Sequence, residues 1–143
     1  MSKILEVKNS EKVKITLGSI DYGYIGKLIL SSREMVPKIN FKNRHLDLAE
    51  QGLMKLKPIF TDQETQEDLF FSGALLEKEV KSIGGLLVDF ARGLRQLNNE
   101  TDDKKETLEN EEMAHDAEAK ALKLAIQAYE QGLNILDDHI YKL

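Results

Sequence analysis

The chain has 143 residues, 41% of them hydrophobic and 31% charged, with a net charge of −5 and no cysteine. That length suits one domain with a real core and is short for two. The lack of thiols excludes disulfide frameworks, thiolate metal sites and cysteine nucleophiles, and makes the cytoplasm the expected compartment. Glu6 and Lys8 interrupt the apolar run that a signal peptide needs, and no apolar stretch approaches the ~18 residues of a membrane span, so neither export nor a membrane is expected. The charge is unevenly divided. Residues 1–57 carry eleven Lys/Arg against six Asp/Glu, whereas residues 58–143 carry nine against nineteen.

The opening segment alternates, with Ile4, Val7, Val13, Ile15 and Leu17 among charged residues and Lys8-Asn9-Ser10-Glu11 between the two runs, the pattern of a β-hairpin. A helix is expected from about Ser19, carrying Tyr24, Ile25, Leu28 and Ile29, although Gly23 and Gly26 weaken it. Pro37 closes that helix. Residues 38–44 form a polar connection, and a short helix from about Leu46 to Lys57 ends before Pro58.

Thr61-Asp62-Gln63-Glu64 fits a capping box, in which the threonine hydroxyl and the glutamate carboxylate reciprocally satisfy backbone donors at a helix start. Beyond it, Leu69, Leu76, Ile83, Phe90 and Leu97 recur every seven residues, with Gly73, Val80, Leu87 and Leu94 interleaved. The chain turns polar from Asn98 to Thr107. The repeat then resumes with Leu108, His115, Leu122, Tyr129, Leu136 and Leu143, interleaved by Glu112, Ala119, Ile126, Leu133 and Ile140. Folding about residues 102 and 103 sets the two repeats face to face.

The expected architecture is therefore mainly α: a long, antiparallel, coiled-coil-like hairpin with arms at about 62–98 and 104–143. A small β-hairpin and short helices in residues 1–60 pack on it, and the whole forms one cooperative domain. Beside the proposed seam, Ala114, Ala121, Ala125, Ala128, Gly132 and Ile135 make a row of small residues where another backbone can approach. That row is the expected oligomer or partner interface, with a helical bundle of two copies as the leading arrangement.

No catalytic motif stands out. There is no Gly-x-Ser-x-Gly, His-Glu-x-x-His, phosphate-cradling loop or dinucleotide fingerprint, and no cofactor is implied. Glu112 and His115 form a Glu-x-x-His pair of the kind that ligates metal in di-iron bundles. They are weak metal candidates because no second pair accompanies them. The simpler reading is a polar layer that sets register, with Arg92 or Arg95 as partner. Asp137, Asp138 and His139 read as solvated surface, and the acids of residues 100–112 lack the ligand spacing and glycine of a calcium loop. Gly84-Gly85 either lets another helix approach or breaks the first arm.

Arg33, Lys38, Lys42 and Arg44, with Phe41 and His45 among them, suggest a basic patch for nucleic-acid phosphates. Three functions follow. The preferred one is a non-enzymatic, self-associating helical adaptor or inhibitor acting on an unidentified protein partner. The alternatives are a nucleic-acid-associated protein and a metal-binding bundle.

Overall fold

A computed structural model describes residues 12–35, 43–60 and 69–135. Among these are four helices and a three-stranded antiparallel sheet: β1 (Lys12–Gly18), α1 (Ser19–Met35), α2 (Asn43–Met54), β2 (Lys57–Phe60), β3 (Leu69–Leu76), α3 (Glu77–Asn98) and α4 (Lys104–Glu130). The strand order is β1-β3-β2, so β3 is central although it comes last in sequence. Residue 60, the expected division between two parts of the chain, lies at the end of β2 and thus inside this sheet.

Alternation in β1 has its usual cause. Val13, Ile15 and Leu17 point inward and are buried, while Lys12 and Lys14 face solvent. They stand opposite Leu75, Gly73 and Phe71 of β3. Gly73 has to be glycine because a Cβ there would lie 2.4 Å from the carbonyl oxygen of Lys55. Pro58 sits in β2, an edge strand, where a missing backbone donor is tolerated.

β3 runs straight into α3. Glu79 is 1% exposed and turns back to accept a hydrogen bond from the Leu76 amide at 2.8 Å, half of a capping box, and it accepts another from Lys55 Nζ at 2.8 Å. α3 continues unbroken through Gly84-Gly85, both buried, so the pair serves packing and does not split the helix. Its inner residues Val80, Ile83, Leu87 and Leu94 join β1, α1, α2 and α4 in one hydrophobic core.

Two expectations for the hairpin arms need correction: the second arm, expected over 104–143, ends as a helix at Glu130, and the first arm is shorter as well. The first arm is a 22-residue helix starting at Glu77, because Leu69 to Leu76, which continue the seven-residue series, are a strand. An eight-residue apolar run satisfies either period, and hydrogen bonding to β1 and β2 decides it. The turn stands where expected, with Asp103 capping α4 by accepting from the Lys105 and Glu106 amides. Asn98 bonds Thr107 and Asn110 across the turn, so α3 and α4 run antiparallel there. The helix at Ser19 starts as expected, and the short helix expected over 46–57 lies at 43–54. The proposed first strand of the β-hairpin, Pro37, the Thr61–Glu64 capping box, the Asp137-Asp138-His139 cluster and the last heptad residues lie outside the described residues.

Candidate functional site

The geometry of α4 departs most from expectation. Ala114, Ala117, Ala121, Leu124, Ala125 and Ala128 are its buried residues, and they meet the large side chains of α3. Small residues against large ones let two helices approach closely without voids. The row expected to receive a partner is thus internal: Ala114, Ala121, Ala125, Ala128 and Ile135 are all 0% exposed within the single chain. Gly132 is exposed and has a structural task. At φ 94 it stands just past the helix end, where Leu133 N donates to Ala128 O and Gly132 N donates to Tyr129 O, the two bonds of a Schellman motif.

The large residues of the expected seam face outward. Leu108, Leu122, Ile126 and Tyr129 are 67%, 42%, 47% and 60% exposed, and Glu112, His115 and Ala119 between them are exposed as well. The buried residues of α4 lie roughly 140° around the helix axis from the expected seam, at ~100° per residue. The result is an apolar stripe at helical spacing on one side of α4.

Both flanks of the stripe are tied down. On one side Arg95 of α3 makes a bidentate pair with Glu118, through Nη1 to Oε2 and through Nη2 to Oε1 at 2.9 Å, and donates from Nε to Glu111 at 3.0 Å. Hydrogen bonds from Arg95 hold the Glu118 carboxyl below the usual carboxylate range, against the opposing pull of burial. His115 lies 3.5 Å from Glu111 and 3.6 Å from Glu118, on the rim of that cluster. The expected partner of this polar region, Arg95, is present, but it pairs with Glu111 and Glu118 and not with Glu112. Among the described residues no group of three or more His, Asp or Glu is placed to hold a metal ion.

On the other side Lys120 reaches α1. It lies 3.4 Å from Asp21 and 2.9 Å from Asp116, with its ammonium 4.7 Å from the centre of the Tyr24 ring. Burial would lower its pKa, but the two carboxylates prevail and raise it. Further along, Gln127 and Gln131 meet the free edge of β1. Gln127 accepts from the Thr16 amide at 2.8 Å and donates to the Thr16 carbonyl at 2.9 Å; Gln131 does the same with Lys14 at 2.7 and 2.6 Å. Four helical residues rise about 6 Å and two strand residues about 6.7 Å, so glutamines at i and i+4 match alternate residues of the strand. Sequence inspection passes over this pair because exposed glutamines on a helix look ordinary.

Of the basic candidates, Arg33 is neutralised by Asp47 at 3.1 Å and Glu50 at 2.9 Å. Arg44 lies in α2, and Lys38 and Lys42 lie outside the described residues. The outer face of the sheet instead carries Lys12, Lys14 and Lys57, exposed around the hydroxyl pair Thr16–Ser72. Among the described residues no helix is long and apolar enough to cross a membrane. Compared with protein-family models, curated proteins and solved structures, the chain matches none.

Proposed function

We propose that this protein acts without catalysis, by protein–protein contact, as a self-associating helical adaptor or inhibitor whose contact face is the outward stripe of α4. The observation that carries the reading is that stripe: four large apolar side chains, 42 to 67% exposed, in register on a helix whose opposite face is already satisfied. A lone exposed leucine needs no explanation, but a row at heptad spacing is the pattern that pairs with another helix. The alanine row, earlier expected to fill this role, is occupied within the chain.

Size-exclusion chromatography with light scattering tests the proposal. A dimer is expected for the unmodified chain, and Leu122→Glu with Ile126→Glu is expected to give a folded monomer whose melting temperature, unlike that of the unmodified chain, does not depend on protein concentration. A monomeric unmodified chain at all concentrations would reject self-association. A second reading, nucleic-acid binding, is favoured by Lys12, Lys14 and Lys57, none of which meets a carboxylate among the described residues. It requires affinity for single- or double-stranded nucleic acid that falls steeply with salt and is lost on reversing these three lysines.

A further inference from the structure

We infer that the outer face of the sheet binds single-stranded nucleic acid, with an unpaired base stacked on Phe70 and the neighbouring phosphates held by Lys12, Lys14 and Lys57. The inference rests on the second reading above, nucleic-acid binding, and adds the strandedness of the ligand and the residue that holds its base. It is independent of the stripe on α4.

Side chains alternate along a strand, so the burial of Val13, Ile15 and Leu17 turns Lys12, Lys14 and Thr16 to the opposite face. Residues paired across an antiparallel ladder share a face. Pairing therefore places Phe70, Ser72 and Ala74 of β3 and Lys57 and Ile59 of β2 on that same side. The described residues of this face include three lysines and no acid, and none of the three meets a carboxylate among the described residues.

The cations stand at the margins, and the middle is low. Lys12 and Lys14 lie on one marginal strand, about 6.7 Å apart along it, and Lys57 lies on the other. Between them the central strand offers only Ser72 and Ala74, and the Ser72 and Thr16 hydroxyls are bonded to each other at 3.0 Å. A shallow polar floor between cationic margins is a surface that can track a phosphate backbone.

Phe70 supplies what the lysines lack. Its partner on β1 is Gly18, where a Cβ would stand 3.9 Å from Phe70 Cε1. The ring thus leans over the glycine and lies along the sheet, partly exposed, with Ile59, 44% exposed, beside it on β2. In a duplex the faces of the bases are covered by their neighbours, so only an unpaired base can lie on this ring. An acidic peptide would engage the lysines and leave the ring unused.

Fluorescence anisotropy separates these ligands. The probes are a labelled oligothymidine of about 12 nucleotides, a duplex of the same length and an abasic strand of the same length. The full chain is used, so that the acids of residues 62–68 act as they do in the native molecule. The oligothymidine is expected to bind at least about tenfold more tightly than either the duplex or the abasic strand. Three phosphate contacts give a slope of affinity on salt of about −2, a loss of about fifteenfold between 50 and 200 mM. Phe70→Leu is expected to weaken oligothymidine binding about tenfold at unchanged salt slope, and Lys14→Gln to make the slope shallower by about 0.7.

Equal affinity for the duplex, or for the abasic strand, would overturn the inference and leave nucleic-acid binding standing. Displacement of the oligothymidine by polyglutamate as effectively as by unlabelled oligothymidine would overturn it in favour of an acidic peptide. No affinity for any of the three probes would remove both this inference and the reading beneath it. The abasic comparison is made on the unmodified chain, so the test holds even if Phe70→Leu disturbs the sheet.

Discussion

α3 and α4 carry apolar residues at the same seven-residue interval and use them in opposite ways. α3 turns its large residues, Val80, Ile83, Leu87 and Leu94, into the core. α4 turns its small ones inward and leaves Leu108, Leu122, Ile126 and Tyr129 outside. A helix with two heptad-spaced apolar faces has a choice of which to bury. Here the neighbour decides: α3 already supplies bulk, so alanine on the facing helix fills the space and a leucine row would overfill it.

The sharpest way to break this contrast is to place the same charge on each helix. Leu87→Asp puts an unpaired carboxylate at a position that is 0% exposed and is expected to cost about 4–5 kcal/mol of stability. Leu122→Asp, at the stripe, is expected to change stability by less than about 0.5 kcal/mol. Chemical denaturation of the two variants at low protein concentration, where association does not contribute, checks both values. Similar losses would mean that the stripe belongs to the core.

A milder version compares the two faces of α4 itself. Ala121→Leu forces extra volume between α3 and α4 and is expected to cost about 3 kcal/mol, whereas Ala119→Leu, two residues earlier on the outer face, is expected to be neutral or slightly stabilising. Thermal melts decide this directly. The smallest effect concerns the ionic clasp between the helices. The Glu118 pKa is lower in the folded chain than in the unfolded one, so its contribution is present above the unfolded carboxylate pKa of about 4.3 and is lost as pH falls through the folded value. Because Arg95 is a third exposed, that contribution is expected to be below about 1 kcal/mol. Arg95→Met is expected to remove this part of the acid sensitivity, measured as a flatter dependence of unfolding free energy between pH 6 and pH 3.

The same contrast explains what could be read from the sequence. The turn at Asp102 and Asp103, the helix at Ser19 and the inward alternation of Val13, Ile15 and Leu17 follow from local signals, namely caps, glycine and periodicity, and these were legible. The rotation of α4 was not, because hydrophobicity ranks leucine above alanine while packing against α3 reverses the order. β3 was hidden for a related reason. Leu69, Gly73 and Leu76 extend the α3 repeat by coincidence, and only their hydrogen bonds to strands far away in sequence make them a strand. The stripe residues were named correctly as an apolar row and assigned to the wrong side of the molecule.

The glutamine pair on β1 bears on which routes of association the chain leaves open. A sheet margin with free amides and carbonyls invites a strand from another molecule, and from there open-ended aggregation. Gln127 and Gln131 occupy those groups on one margin with side chains that cannot propagate a ladder, and on the other margin Pro58 withholds a donor. Growth by strand addition is discouraged at both margins, while the helical stripe, through which we propose association, stays available.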